Sequence, residues 1–146
     1  MPEYGIGIFS FSNLTYAPAS LINTLVLDTL IAVAKLRPGQ LTASAILNQR
    51  KKELIDLLPG WNNLEKTQIF AQNFFMDYFP DSLRKQAMAI FNKAGKIIRI
   101  EELIAENNLR GSFIMRGENN DIQISFTLTP ENPPLIQEYK IKERKK

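Results

Sequence analysis

Between Ile122 and Leu128 the chain alternates without a fault, with Ile122, Ile124, Phe126 and Leu128 on one side and Gln123, Ser125 and Thr127 on the other. A period of two over that length suits only a strand with one covered face and one wet face. Weaker alternation flanks it, at Ile98, Ile100 and Ile104, at Ser112 to Arg116, and at Leu135 to Ile141. The connections at Asn107-Asn108 and at Gly117-Glu118-Asn119-Asn120 have hairpin chemistry, so these segments read as a four-stranded antiparallel meander.

Upstream of Gly95 the period is helical. A helix over 82–94 would place Leu83, Ala87, Ile90, Phe91 and Ala94 on one face, with Asp81 as its cap and Gly95 as its stop. A helix over 64–79 would carry Ile69, Phe70, Phe74 and Phe75 as an aromatic stripe ended by Pro80. Residues 64–141 therefore read as two helices packed on one face of the sheet, an α+β layer. Further upstream, a helix over 42–58 points Ile46, Leu47, Leu54, Ile55 and Leu58 inward, and Arg50, Lys51, Lys52 and Glu53 outward. The string Pro59-Gly60-Trp61-Asn62-Asn63 breaks that helix. It divides the chain into 1–60 and 61–146.

The first sixty residues are less ordinary. Leu21 to Leu36 is apolar most of the way round a helix that Ser20 can cap and Arg37-Pro38-Gly39 stops, which leaves little surface for water. Before it, residues 4–11 read as a strand with Ile6 and Ile8 on one face and Phe9 and Phe11 on the other. A strand apolar on both faces belongs inside a covered sheet. These four residues are thus expected at an interface, against the open edge of the small sheet, against a second copy, or against a domain the chain does not itself provide.

Composition narrows the chemistry. The chain of 146 residues is 45% hydrophobic and 23% charged, ordinary for a globular fold, and it holds neither cysteine nor histidine. Disulfide and thiol chemistry are excluded, and the most common general base and transition-metal ligand are missing, so no cofactor and no metal site is expected. The formal charge of +3 comes from the end: residues 140–146 hold five cations against Glu143, leaving the body near −1. That tail reads as a solvated end, without the aromatic-interleaved basic stripe of a nucleic-acid partner surface. Leu21 to Leu36 is too short and too polar for a transmembrane span, and the start lacks a secretory pattern, so localisation is left open.

Motifs with catalytic overtones explain themselves structurally. Ser82-Leu83-Arg84-Lys85 fits Ser-x-x-Lys, in which a lysine one turn from a serine takes its proton, and Lys93-Ala94-Gly95 is a loose Lys-Thr-Gly. The serine, however, follows a helix-starting Pro-Asp, and the second string sits where a helix ends rather than on a strand. Glu101-Glu102 are strand neighbours that face opposite ways. Gly5-x-Gly7 is too short for a phosphate loop, and Asn13-Leu14-Thr15 matches a glycosylation sequon at chance level. Phe70, Phe74, Phe91, Phe126 and Tyr139 are candidates to line a ligand pocket between helices and sheet, with Arg110 and Arg116 at its rim; the same spacing also describes a core.

The run Pro2-Glu3-Tyr4-Gly5-Ile6-Gly7-Ile8-Phe9-Ser10-Phe11-Ser12-Asn13, followed by an apolar helix, resembles the end of the catalytic domain in serine hydrolases of the β-lactamase and penicillin-binding-protein family. The likeness covers residues 2–36. Phe74-Phe75, Leu109-Arg110-Gly111-Ser112-Phe113 and Pro130-Glu131-Asn132-Pro133-Pro134 carry a likeness to the small accessory domain of some of these hydrolases, whose shape is cystatin-like or steroid-isomerase-like. The resemblance implies a parent that acts on amides or esters through an acyl-serine, periplasmic or secreted, with every catalytic residue upstream of Met1. It transfers no catalytic residue to this chain and implies a C-terminal, non-catalytic accessory domain whose partner is the missing catalytic domain or a homodimer mate. A stand-alone binding module or isomerase is the alternative; without histidine its base would be Asp77, Asp81 or Asp121.

Overall fold

The computed structural model describes residues 1–39, 41–64 and 67–146, and it divides into two compact units, Met1–Leu41 and Thr42–Lys146. In the first unit a short 3-10 turn, Pro2–Tyr4, precedes an open segment in which the amino terminus donates to the Ile6 carbonyl at 3.0 Å. No strand forms over residues 4–11, contrary to the alternation in the sequence. A strand is held by a neighbour's backbone ladder, and the sheet of this molecule is completed without the segment. Ile6 and Ile8 are half-buried, while Phe9 and Phe11 are 90% and 99% exposed.

Helix α1, Ala19–Ala34, starts after Pro18 with no side-chain cap, so Ser20 lies inside the helix and does not cap it. Its carboxyl end closes in a left-handed Lys35, whose N–H reaches the carbonyls of Ala32 and Ile31. No residue of α1 is fully buried.

The second unit begins with α2, Ala45–Leu57, capped by Ser44, whose hydroxyl accepts from the Leu47 N–H at 3.3 Å and donates to the Asn108 carbonyl at 3.0 Å. The buried stripe is Leu47, Arg50, Leu54 and Leu57. Arg50 was expected to face water, and it is buried because its guanidinium finds fixed partners inside: Nε and Nη2 donate to the Pro134 carbonyl at 2.9 and 2.8 Å, and Nη1 to Glu53 at 2.7 Å. Lys51 is likewise half-buried, its ammonium bonded to the Glu101 carbonyl and 5.1 Å from the centre of the Phe113 ring. The Pro59-Gly60 break is a turn inside this unit, so α2 packs with the sheet that follows it.

The long helix expected over 64–79 is reduced to α3, Phe74–Asp77; Glu65 and Lys66 of that span lie outside the described residues. Ile69, Phe70 and Ala71 are all buried, and three consecutive inward residues cannot share one face of a helix. The stretch instead runs beside the last strand. Ala71 donates to the Ile136 carbonyl and Ile136 to the Ile69 carbonyl, at 2.9 and 2.7 Å. Helix α4, Pro80–Ala94, takes Phe79 as its cap residue and Pro80 at its first position, where a missing N–H costs nothing. Asp81 therefore sits within the first turn and does not cap the helix. Gly95, at φ 75°, ends it.

The sheet has strands β1 (Ile97–Ile100), β2 (Ile104–Ala105), β3 (Arg110–Gly117), β4 (Asp121–Leu128) and β5 (Ile136–Arg144). All neighbours are antiparallel in the order β1-β3-β4-β5, and β2 also pairs with β3, so one border of the meander is split into two short strands. Leu103, between the two, is buried over Gly111, where a Cβ would meet Leu103 Cδ2 at 2.6 Å. The α+β layer read from the sequence is thus present, with helices on one face of an antiparallel sheet. Phe113, Met115, Ile122, Ile124, Phe126 and Ile141 supply the sheet's contribution to the core. A shift of register between Thr127 and Leu128 leaves Gln137 unpaired, which is how Ile136 and Tyr139, three apart, both face inward.

Candidate functional site

Of the aromatic residues proposed to line a pocket, Phe70, Phe74, Phe126 and Tyr139 are buried in the core and Phe91 packs half-buried against it. Three of them pack ring on ring: Phe70 and Phe74 lie 4.5 Å apart, Phe74 stacks on Tyr78 at 4.5 Å, and Tyr139 meets Trp61 edge-on at 5.0 Å. These are packing distances. Two polar atoms in this layer, Trp61 Nε1 and the Tyr139 hydroxyl, are buried with no partner, and burial raises the Tyr139 pKa. The carboxylates considered as an isomerase base are elsewhere. Asp77 and Asp81 are exposed, and Asp121 is buried beside Arg116 on the opposite face of the sheet.

That opposite, outer face holds most of the organised charge. At one end Arg116 is the centre: its Nε donates to Glu101 at 2.8 Å, its Nη1 to Asp121, and Arg99 adds a second donor to Glu101 at 3.1 Å. Hydrogen bonding from Arg116, then the nearby positive charge, hold the Glu101 carboxyl below its ordinary range, and the two carboxylates raise the Arg116 pKa in turn. Asp121 keeps one buried oxygen without a partner.

At the other end Arg110 donates to Thr127 at 2.9 Å and to Glu138 at 3.0 Å, while the Thr127 hydroxyl donates to Glu138 at 2.9 Å. This triad, with Glu106, Ser125 and Lys140, bounds a shallow depression of about 170 Å³. The Thr127 hydrogen bond is the main reason that the Glu138 pKa is lowered, with Lys140 and Arg110 adding to it.

The residues singled out from the sequence are therefore distributed. Arg110 and Arg116 lie at opposite ends of β3 on the outer face, and Tyr139 points the other way into the core. Ser82 and Lys85 are exposed on the first turns of α4, and Lys93 is bonded to Glu143 at 3.0 Å. Ile6, Ile8, Phe9 and Phe11 belong to the first unit and pair with no strand. Sequence reasoning missed the outer-face networks, although the alternation that exposed Gln123, Ser125 and Thr127 already placed Arg110, Arg116 and Glu138 beside them. Among the described residues no three metal-ligating side chains converge, and no helix is long and apolar enough to cross a membrane. Compared with protein-family models, with curated proteins and with solved structures, the chain matches none of them.

Proposed function

We infer that this chain is a non-catalytic accessory module that docks on a larger domain through its first unit, and that the partner is the catalytic domain of a serine β-lactamase-like hydrolase. The observation that carries the docking is the apolar surface that α1 leaves exposed: Leu21, Leu25, Leu30 and Val33 stand out, Leu25 at 57% and Val33 at 78%, while only the stripe Ala19, Asn23, Leu27 and Ile31 is half-buried. A helix apolar all round belongs inside a larger assembly, since each large aliphatic side chain taken from water contributes about 1.5–3 kcal/mol. Phe9 and Phe11, in the same unit, are exposed as well. The sequence likeness of residues 2–36 to a late strand and helix of that hydrolase family supplies the identity of the partner. In the second unit the aromatic rings pack on one another, which supports a scaffolding role over ligand turnover.

The test is to immobilise the full chain, expose it to extracts of its source cells, and mark bound acyl-serine enzymes with a fluorescent penicillin or fluorophosphonate. A labelled enzyme retained by the parent chain and released by Leu25→Glu supports the reading. Absence of any labelled enzyme, or equal retention by Leu25→Glu, rejects it.

A further inference from the structure

Strand β5 forms one border of the sheet. The start of that border is covered, because Ile136 exchanges backbone hydrogen bonds with Ile69 and Ala71, and the Tyr139 N–H reaches the Tyr78 hydroxyl at 3.4 Å. Backbone groups alternate sides along a strand, so the N–H and C=O of Ile141 and Glu143 point the same way as the Tyr139 N–H. Among the described residues they have no backbone partner on that side.

The side chains along this stretch are equally regular. Register with β4 puts Lys140, Lys142 and Arg144 opposite Ser125, Gln123 and Asp121 on the outer face. Alternate strand positions are ~6.7 Å apart, which sets the pitch of this row of cations. All three are exposed, and none holds an ion pair among the described residues, whereas Arg99, Arg110 and Arg116 on the same face are each matched by a carboxylate. On the inner face Ile141 is buried next to the Lys93–Glu143 pair.

The geometry points to this border as the docking site for an extended acidic segment of a partner polypeptide, added beside β5 as a further strand. Its main chain would pair with Ile141 and Glu143. Carboxylates at alternate positions would lie beside Lys140, Lys142 and Arg144, where opposite charges on neighbouring strands attract, and the residues between them would be apolar and extend the Ile141 face. Charge and backbone together select the occupant. A nucleic acid has no N–H or C=O ladder to offer an open strand, and among the described residues no exposed aromatic ring stands on the outer-face positions of β3, β4 and β5 for bases to stack on. Lysines along a border also deter a second copy of the same strand, so the row excludes self-pairing and admits an acidic strand.

The probe is a capped, fluorescein-labelled peptide alternating glutamate and valine, titrated into the full chain at low salt and followed by anisotropy. Its lysine-valine counterpart and a short DNA duplex serve as comparators. Binding by the glutamate peptide alone is expected, with slowed amide exchange at Ile141 and Glu143, and with affinity lowered about tenfold or more in Lys140→Glu/Lys142→Glu. Both lysines are exposed, and Lys142→Ala provides a milder variant with a smaller loss. The proposal is overturned if the charge-reversed chain binds as well as the parent, if those two amides exchange unchanged in the complex, if DNA binds more tightly than the peptide, or if no peptide binds.

Discussion

Replacing Arg50 by methionine tests how much of the second unit's stability passes through one buried guanidinium. Arg50 is 5% exposed and spends three donors on two partners, the Pro134 carbonyl and the Glu53 carboxylate. Methionine keeps the aliphatic stem and its packing against α2's neighbours, so the change isolates the polar head. Hydrogen bonds from a charged donor contribute about 1.5–3 kcal/mol each, but two of these three share one acceptor, and Glu53, with its side chain 31% exposed, can return to water. The expected loss is therefore about 2–3 kcal/mol, equivalent to roughly 8–24 °C in Tm for a domain of this size. Arg50→Lys should lose nearly as much, because a single ammonium cannot hold the carbonyl with two parallel donors. Trp61 is the one tryptophan, 1% exposed in the core, so urea titration followed by its fluorescence reads the unfolding of this unit directly. If Arg50→Met unfolds within about 0.5 kcal/mol of the parent with an unchanged slope, the cost of burying the charge cancels its hydrogen bonds and the clamp contributes nothing net.

Gly111→Ala should cost about 1–3 kcal/mol, since its Cβ would press on Leu103 at 2.6 Å, and pairing it with Leu103→Ala should cost less than the two changes summed, as thermal unfolding would show. Tyr139→Phe removes a buried hydroxyl that has no partner, so it should leave stability unchanged or raise it by about 1 kcal/mol; a clear loss would mean that the hydroxyl is satisfied. Glu138 has a lowered pKa, so its contribution is complete above the ordinary carboxylate value of 4.5 and is lost as pH falls through its folded value. Thr127→Val should raise the Glu138 pKa toward that ordinary value in an NMR titration of its carboxyl carbon, and narrow the stability difference between neutral and acid pH.

The sheet was legible because its signal is local: the alternation at Ile122 to Leu128 decides each residue's face without reference to anything distant. The span 64–79 was not, because Ile69 and Phe70 are spaced like a helical stripe, and what makes the chain extend there is a hydrogen-bond partner contributed by Ile136, far along the sequence. Arg50 failed for a related reason. Charge suggests solvent unless a partner is known, and Pro134 is not a residue that pattern reading would nominate. Residues 4–11 carry a strand's alternation and form no strand, since periodicity specifies which side chains want cover but supplies no neighbouring ladder. As for the candidate sites, the pocket-lining aromatics were visible as a group, whereas their packing on Trp61 and Tyr78 depended on the third dimension.

The covering of β5 by Ile69 to Ala71 ties the middle of the chain to its final stretch. As the polypeptide leaves the ribosome, Phe70 and its neighbours emerge long before Ile136 exists to receive them, and the inner rings of that layer have no lid until the last strand arrives. Closing the barrier to water over Trp61 and Phe74 is therefore a late event of biosynthesis, and a ribosome that stops short of Ile136 releases a chain whose apolar centre stands open to whatever sticky surface is nearby.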